Sequence, residues 1–407
     1  MAGPLSHVRV LELSRVLAGP WAAQTLADLG AEVIKVERPG AGDDTRAWGP
    51  PWAGDPNAGE PRESAYFLSA NRGKRSVTID FERPEGQALV RRLAAESDVV
   101  IENFKVGGLV KYGLDYDSLK AVNPRLVYCS ITGFGQTGPY RSRAGYDFMI
   151  QGLGGLMSIT GQPDGEPGGG PVKVGVAVTD IFTGLYATIG VLGALAHRDR
   201  TGEGQWVDLA LLDVQVAVLA NQAMNHLVSG MPPVRMGNAH PNIVPYQAFA
   251  TADGHIILAV GNDGQFAKFC AVAGQPELAA DPRYATNPER VRHRAELVPR
   301  LQEIIKARPS RDWLVGLEAV GVPCGPINDL AAVFEDPQVI ARGLRRDLPH
   351  PTAGTVPTVA SPIRYSGTPI AHETAPPTLG QHTDEVLGGL LGLDADTLAS
   401  LKAAGVL

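Results

Sequence analysis

Residues 8–37 (VRVLELSRVLAGPWAAQTLADLGAEVIKVE) decide the fold, because a strand-like run, a helix-like run and a second strand-like run follow one another there. The helical spacing stops at Gly30, and glycine commonly ends helices. The same unit recurs over residues 76–102, and residues 126–131 (LVYCSI) add another buried run. Strands that alternate with helices of this length are typical of right-handed β-α-β crossovers, which build a largely parallel sheet.

The pattern changes beyond residue 230. Two strand-like runs flank Asp253 and Gly254, a tight-turn pair that predicts a hairpin, and helix-like runs follow it. We therefore predict an α/β protein with a Rossmann-like large domain, whose sheet is mostly parallel, and a smaller α+β domain. The expected boundaries are 1–225 for the N-terminal part of the large domain, 226–330 for the small domain and 331–407 for the C-terminal return to the large domain.

Glycine and proline are unusually frequent, with 48 and 32 of the 407 residues, or about 20% against an ordinary share of about 12%. They concentrate in residues 38–64, 132–179 and 230–245. A loop as long as 38–64 inside a compact domain is usually functional. We expect these loops to lie around a ligand.

Charge and cysteine content exclude several classes of protein. Lys and Arg number 36 against 43 Asp and Glu, a net charge of −7, whereas nucleic-acid binders usually have a basic balance. An anionic ligand must then be bound by a few well-placed cations. The three cysteines lack CxxC spacing, which argues against a disulfide framework and a zinc site and indicates a reducing compartment.

No targeting or membrane segment is evident in the sequence. Residues 1–7 (MAGPLSH) lead straight into the first strand-like run without a basic or apolar leader. The longest helix-like apolar run, residues 181–196, is shorter than the roughly 20 residues of a membrane span and predicts a buried helix. We expect a soluble cytoplasmic protein with no membrane or nucleic-acid partner.

The first crossover imitates a dinucleotide-binding unit but lacks its glycines. Residues 14–20 (SRVLAGP) contain one glycine, whereas the G-x-G-x-x-G turn requires three to approach a pyrophosphate. This disfavours a nicotinamide enzyme.

Cations, and in one case also an amide side chain, flank several predicted strands. Arg38 follows the strand at 31–37, Lys74 and Arg75 precede the strand at 76–81, and Asn103 and Lys105 follow the strand at 98–102. Ligands bind at the carboxyl ends of parallel strands, so these side chains indicate a phosphorylated ligand. For each lysine, a solvated loop charge remains the alternative interpretation.

Asp180 is the strongest candidate for chemistry. It follows a predicted strand at 172–178 (VKVGVAV) and precedes an apolar helix. It is a suitable N-cap for that helix and also a suitable covalent nucleophile, and spacing leaves both roles open. The helix dipole is expected to keep the carboxylate ionised, and the free N–H groups of the first turn are expected to support an oxyanion.

His240 is a second candidate, in the loop of residues 235–247 (RMGNAHPNIVPYQ). A single histidine in a loop of this composition is more often a hydrogen-bonded anchor than a catalyst. No nucleophile elbow, HExxH, P-loop or Cys/His metal spacing occurs in the sequence, so no metal site is predicted.

A set of ordered stretches spans almost the whole chain: residues 17–20 (LAGP), 29–39 (LGAEVIKVERP), 42–46 (GDDTR), 71–76 (NRGKRS), 102–104 (ENF), 145–147 (GYD), 175–180 (GVAVTD), 321–326 (GVPCGP) and 379–384 (LGQHTD). Together they resemble the class III coenzyme A transferases, the family of formyl-CoA and carnitine CoA transferases. Residues 143–147 (RAGYD) and 243–249 (IVPYQAF) resemble most the members that use succinyl-CoA and a dicarboxylate such as glutarate.

The resemblance implies that Asp180 attacks an acyl-CoA thioester, forms an anhydride and then an aspartyl-CoA thioester, and passes CoA to an acceptor carboxylate. It implies no cofactor beyond coenzyme A as co-substrate, no metal, acyl-CoA and carboxylic acid substrates, and an interlocked homodimer. The implied CoA contacts are Leu17, Ala18, Arg38, Asn103, Phe104, Lys105, Lys111, Tyr146 and Asp147. The implied substrate loop contains Gly237, Asn238 and His240.

The sequence departs from the formyl-CoA pattern, which makes oxalate a doubtful substrate. Leu17 replaces a glutamine, Glu82 replaces a basic residue, and the run of consecutive glycines that covers the site is missing. The α-methylacyl-CoA racemases are the alternative within this fold, and they carry a histidine where this chain has Tyr146. A phenol with a pKa of about 10 accepts protons poorly, which favours transfer over racemisation. A non-catalytic CoA-binding protein is the weaker alternative, because Asp180 is intact.

Overall fold

The computed structural model describes residues 3–57, 62–370 and 374–407, so residues 58–61 of the predicted loop at 38–64 lie outside the described part. The strands are β1 (Arg9–Glu12), β2 (Glu32–Glu37), β3 (Trp52–Ala53), β4 (Glu63–Ser64), β5 (Lys74–Thr78), β6 (Val99–Glu102), β7 (Val127–Thr132), β8 (Trp206–Ala210), β9 (Tyr246–Ala250), β10 (His255–Ala259), β11 (Cys324–Pro326), β12 (Arg345–His350) and β13 (Gly354–Val359).

The α-helices are α1 (Ala18–Asp28), α2 (Ala65–Ser69), α3 (Pro84–Ala95), α4 (Tyr116–Val122), α5 (Asp147–Leu153), α6 (Leu156–Ile159), α7 (Val178–Thr201), α8 (Leu211–Ala217), α9 (Ala220–Ser229), α10 (Asp263–Val272), α11 (Glu277–Ala280), α12 (Asn287–Arg292), α13 (Arg294–Lys306), α14 (Ser310–Ala319), α15 (Leu330–Glu335), α16 (Pro337–Ala341), α17 (Thr383–Leu391) and α18 (Ala395–Ala403). Short 3-10 turns cover Asp44–Ala47 and Val110–Tyr112.

The main sheet has six parallel strands in the order β5-β2-β1-β6-β7-β8. Counted along the chain, this is the doubly wound 3-2-1-4-5-6 order, which confirms the predicted Rossmann-like α/β fold. The winding direction reverses between β1 and β6, whose register pairs Val10 with Val99. In such sheets ligands bind beyond the carboxyl ends of the strands at this switch point.

Both faces of the sheet are buried, as a parallel sheet requires. Val10, Val33 and Val99 face one side, where α1 and α7 cover them. The alternate residues Leu11 and Ile34 face the other side, which α3, α4 and α17 cover. Consecutive strand residues point to opposite faces, so near-continuous apolar runs are what this sheet needs.

Helix α1 ends where the sequence indicates. Leu29 follows its last residue, and Gly30 then adopts a φ of +98°, which an L side chain rarely adopts. A Cβ at Gly30 would lie 2.7 Å from the Cα of Gly3, so the chain also passes too closely for any other residue.

The chain divides into two compact units. The large unit comprises Met1–Gly155, Val174–Met224 and Pro337–Leu407, and the small unit comprises Leu156–Lys173 and Asn225–Asp336. Residues 156–173 differ from the predicted boundaries, which include them in 1–225. They belong to the small unit because the Gly237 N–H donates to the Gly161 carbonyl at 3.0 Å and Arg235 pairs with Asp164.

The small unit is built on the antiparallel sheet β11-β10-β9. The hairpin predicted around Asp253 and Gly254 is β9 and β10, with His255 paired to Ala250. Its core includes Phe249, Trp313 and other buried apolar side chains from α10, α13 and α14.

The C-terminal segment lies against β5 of the large unit. The His382 N–H donates to the Ser76 carbonyl at 2.9 Å, and the Asp80 N–H donates to the Val406 carbonyl at 2.7 Å. Val386 of α17 is fully buried in the core of the large unit. The chain terminus therefore completes one face of the sheet.

The strand predicted at residues 172–178 is wrong. Val172 and Val176 are exposed, and this segment runs as an extended loop until α7 begins at Val178. The alternation of valines imitates a strand, but no strand in the described part of the chain pairs with it, so a loop precedes α7.

Helix α7 is longer than the apolar run at 181–196. It has 24 residues, and by length and composition alone it could cross a membrane, with a mean hydropathy of 1.5 over an 18-residue window of which 44% is buried. Length therefore does not exclude a membrane span, contrary to the expectation from the sequence.

Candidate active site

A cavity of about 810 Å³ lies in the large unit at the carboxyl ends of the parallel strands. It is centred on the switch point, where the loops after β1 and β6 meet. The predicted site residues that line it are Leu17, Ala18, Arg38, Asn103, Phe104, Lys105, Lys111, Tyr146 and Asp180. The fold thus brings together residues that are up to 163 positions apart in the sequence, from Leu17 to Asp180.

The two switch-point loops are tied to each other. The side-chain oxygen of Asn103 accepts a hydrogen bond from the Arg15 N–H at 2.9 Å, and its amide donates to the Arg15 carbonyl at 2.6 Å. Next to Arg15, Val16 adopts a φ of +71°, which is strained for a β-branched residue. The Val16 N–H is held by the carboxylate of Asp43, at 3.2 and 3.3 Å from its two oxygens.

A buried ion cluster supports this strained turn. Lys35 Nζ lies 2.9 Å from Asp43 Oδ2 and 3.2 Å from Glu12 Oε1, and it donates to the Ser14 carbonyl at 2.9 Å. Burial alone would raise the pKa of Asp43, but Lys35 and hydrogen bonds from Thr45 lower it to about 2. Burial alone would lower the pKa of Lys35, but Asp43 and Glu12 raise it. These charges position the loops rather than bind ligand.

The two cations before β5, Lys74 and Arg75, form ion pairs within the protein, so the prediction that they bind a ligand is wrong. Lys74 is fully buried at the amino end of β5, with Nζ 2.8 Å from Glu12 Oε2. Arg75 pairs with Glu32 and, at 2.9 Å, with Glu385 of α17. Both side chains start at the wrong end of the strand to reach the cavity, and both have carboxylate partners.

Six cations line the cavity outside this buried cluster: Arg15, Arg38, Lys105, Lys111, Arg141 and Arg143. The Arg38 side chain is 63% exposed, and its guanidinium is 3.8 Å from Asp44. The sequence did not single out Arg15, Arg141 or Arg143. Arg15 lies three residues after the end of β1, and its place at the carboxyl end of a strand is the signal that would have found it. Arg143 lies in an exposed loop with its guanidinium over the Tyr140 ring at 4.5 Å.

Asp180 lies in the first turn of α7, as its third residue, and is half-buried on the cavity wall. It is not the N-cap, a position that Ala177 occupies. Within residues 3–57, 62–370 and 374–407, its carboxylate has no cation partner. Burial and, secondly, the charge of Asp147 raise the pKa of Asp180 to about 7. A carboxyl group with this pKa is only partly ionised near neutral pH, which differs from the expectation that the helix dipole keeps it ionised.

Asp147 lies behind Asp180 rather than along the cavity. Its buried carboxylate accepts hydrogen bonds from the N–H groups of Thr179, at 2.8 Å, and of Asp180, at 3.3 Å. The Val178 and Ile181 N–H groups donate to the carbonyls of residues 176 and 177. The first turn of α7 therefore has no spare donors for an oxyanion, contrary to the expectation from the sequence.

Comparisons with known proteins identify the family of this chain. A family model described as CoA-transferase family III matches residues 5–383. The chain belongs to this family. The chain is therefore a CoA transferase, and its cavity is in the part that the family model covers.

Two curated relatives and one solved structure are similar to this transferase over nearly its whole length. The succinate–glutarate CoA-transferase of Agrobacterium fabrum is 57% identical, over 95% of this chain and 96% of that protein. The human succinyl-CoA:glutarate CoA-transferase is 45% identical, over 99% of this chain and 90% of that protein. The crystal structure of a CAIB/BAIF family protein from Brucella suis is 56% identical, with a TM-score of 0.84 over 96% of this chain and 100% of that one.

The predicted substrate loop of the transferase belongs to the small unit. Gly237 and Asn238 form a turn, and a Cβ at Gly237 would lie 2.7 Å from Gln162 Oε1. His240 Nδ1 accepts a hydrogen bond from the Asn242 N–H at 3.1 Å, and the His240 carbonyl accepts one from Arg294 at 2.7 Å. Burial and the Arg294 charge lower the pKa of His240, so the ring is neutral at pH 7. These bonds make His240 an anchor within its own loop.

Proposed function

We propose that this enzyme transfers CoA from succinyl-CoA to glutarate, with Asp180 as the covalent nucleophile. The observation that carries the proposal is the Asp180 carboxylate on the wall of a cavity that six cations border. A nucleophile needs an unshared lone pair, and within the described residues no cation or hydrogen-bond donor occupies this carboxylate. The names of the relatives in Agrobacterium fabrum and in humans supply the two substrates.

In the first half-reaction, an Asp180 oxygen attacks the succinyl-CoA carbonyl carbon and the carbon–sulfur bond breaks, giving a mixed anhydride and CoA thiolate. The thiolate then attacks the aspartyl carbonyl carbon, which releases succinate and leaves an aspartyl-CoA thioester. In the second half-reaction, a glutarate oxygen attacks that thioester and expels the thiolate. The thiolate attacks the glutaryl carbon of the new anhydride, which releases glutaryl-CoA and restores Asp180. No net proton transfer or redox step is needed.

The cavity residues have separate roles in this scheme. Arg15, Arg38 and Lys105 offer charge to the phosphates of CoA, where guanidinium and ammonium groups are the usual partners. Leu17 and Ala18 place the amino end of α1, with its positive dipole, at the cavity, and we assign to it the developing oxyanion. Coenzyme A is the co-substrate, and the scheme requires no further cofactor.

We also propose that the enzyme is a cytoplasmic homodimer and that a second copy, rather than lipid, covers α7. Leu185, Tyr186 and Ile189 expose apolar surface on this helix. Its other side packs on α1 and on the sheet, and its carboxyl end carries Arg198, paired with Asp98 at 2.7 Å. Size-exclusion chromatography with light scattering, in buffer without detergent, should give the mass of a dimer. A monodisperse monomer would contradict this part of the proposal.

The substrates are tested with purified enzyme, succinyl-CoA and a panel of malonate, glutarate, adipate and acetate. Chromatography of the acyl-CoA products should show glutaryl-CoA formed with the highest kcat/KM. An enzyme that forms acetyl-CoA as efficiently as glutaryl-CoA, or that only hydrolyses succinyl-CoA, would contradict the proposed substrates.

A further inference from the structure

The amino end of α7 is capped by a residue from another helix. Ala177, at the N-cap position, has no side chain that can accept a hydrogen bond. Instead Asp147, the first residue of α5, accepts from the N–H groups of Thr179 and Asp180. Because the cap comes from 33 residues away, the carboxylate of Asp180 is not consumed in capping its own helix.

Asp147 is itself held by Gln151, one turn further along α5. Gln151 Nε2 donates to Asp147 Oδ2 at 2.7 Å, and Gln151 Oε1 accepts from the Val174 N–H at 2.9 Å. Gln151 is fully buried and Asp147 nearly so. From α8, Gln215 Oε1 accepts from the Thr179 hydroxyl at 2.6 Å. The loop before α7 and its first turn are thus bonded to side chains of both α5 and α8.

We propose that Asp147 and Gln151 are positioning residues for the transfer reaction: together they hold the backbone of Asp180 in place and set a negative charge behind its carboxylate. This replaces the contact with CoA that the family resemblance implies for Asp147. The inference rests on Asp180 being the nucleophile, as proposed above. A nearby like charge makes a carboxylate a stronger base, and hence a better nucleophile once it is ionised.

The pH dependence follows from the sign of these effects. Asp180 attacks only when ionised, so kcat/KM falls as pH falls through the pKa of Asp180, near 7. Burial is the first cause of that raised pKa and the charge of Asp147 the second, so removing the charge lowers the pKa only in part. The other titratable or charged side chains that face this region include Tyr66, which interacts with the Asp180 charge, and Tyr146, Lys35, Asp43 and the six cations of the cavity lining. The pKa of Tyr66 is raised to about 12 by burial and by Asp180, so its hydroxyl stays neutral near pH 7.

The test is the kcat/KM profile of Asp147→Asn between pH 5 and 9. Asparagine keeps an oxygen for the Thr179 N–H but removes the charge. The acid limb, which is the part of the profile where kcat/KM falls as pH falls, should therefore move to lower pH by about 1 unit. Asp147→Glu keeps the charge but lengthens the side chain, so kcat should fall about tenfold or more while the acid limb stays in place. Asp394→Asn is the matched control, because Asp394 caps α18 by accepting from the Thr397 N–H at 2.8 Å and lies outside the cavity lining.

The position of the acid limb does not depend on the fraction of folded enzyme, so a partly folded variant still gives a result. An unmoved limb in Asp147→Asn, together with hydroxylamine labelling of Asp180 in the wild type, would overturn this inference and leave the proposed function intact. Labelling of a different carboxyl group would overturn the proposed function instead.

Discussion

Two carboxylates border the same cavity and have opposite electrostatic surroundings. Asp43 is paired with Lys35 at 2.9 Å and accepts two hydrogen bonds from Thr45, and its pKa is lowered to about 2. Asp180 has Asp147 as its charged neighbour, and its pKa is raised to about 7. Burial raises the pKa of both groups; Lys35 and the hydrogen bonds from Thr45 overcome this effect at Asp43, whereas within the described residues no cation offsets it at Asp180.

The two carboxylates therefore have different roles in one site: Asp43 supports the structure, and we assign the chemistry to Asp180. Cations and N–H groups occupy the lone pairs of Asp43, which makes it a fixed support for the strained turn at Val16. The lone pairs of Asp180 are left for substrate. Its pKa is raised as a consequence, by burial and additionally by the charge of Asp147. The paired region around Asp43 and the unpaired region around Asp180 should therefore respond differently to substitution.

The largest effect is expected in the unpaired region. Asp180→Asn keeps the shape of the side chain but removes the nucleophile, so kcat should fall by at least about 1,000-fold while CoA affinity, measured by calorimetry, changes little. Asp213→Asn is the matched control, because Asp213 is the third residue of α8 as Asp180 is of α7, but is exposed and outside the cavity lining. Normal turnover by Asp180→Asn would rule out covalent catalysis at this residue.

A change in the paired region should affect stability first. Lys35→Met leaves Asp43 buried without its cation and leaves Glu12 with Lys74 as its remaining partner, so the free energy of unfolding in urea should fall by about 3–5 kcal/mol. Lys402→Met is the control: it breaks the exposed pair with Asp384 at 2.7 Å and should cost no more than about 1 kcal/mol. Equal losses for the two variants would show that the cluster is not a structural support.

The smallest effect is expected when a cation that lines the cavity is replaced. Arg38→Ala should raise the KM for succinyl-CoA about tenfold, equivalent to about 1.4 kcal/mol, with little change in kcat, because a phosphate contact contributes equally to ground state and transition state. Arg345→Ala is matched in exposure, 61% against 63%, and in having an aspartate partner, but lies outside the cavity lining. An unchanged KM in Arg38→Ala would remove this residue from the CoA site.

Local patterns in the sequence were sufficient for the sheet and for a few cavity residues, namely Arg38, Asn103, Lys105 and Asp180. Apolar runs with helices between them predict parallel strands, and Arg38 and Asn103 then come to one edge because carboxyl ends align. The family resemblance added the nucleophilic role of Asp180 and the remaining predicted cavity residues. The valines of 172–178 misled because periodicity does not report whether a partner strand is available.

Other features depend on tertiary contacts that no local pattern encodes. Lys74 looks like a ligand cation in the sequence, and only the packing of β1 against its neighbours shows that Glu12 neutralises it. The bonds from Thr179 and Asp180 to Asp147 span 32 and 33 residues, and they place the Asp147 charge behind Asp180, whose pKa is raised first by burial and secondly by this charge.

The most direct test of the account is to trap the covalent intermediate. Enzyme incubated with succinyl-CoA and then treated with hydroxylamine is digested and analysed by peptide mass spectrometry. We predict a hydroxamate on Asp180 that forms only when succinyl-CoA is present, while Asp43 and Asp147 remain unmodified. A hydroxamate on another carboxyl group, or none during active turnover, would contradict the central claim that Asp180 is the nucleophile.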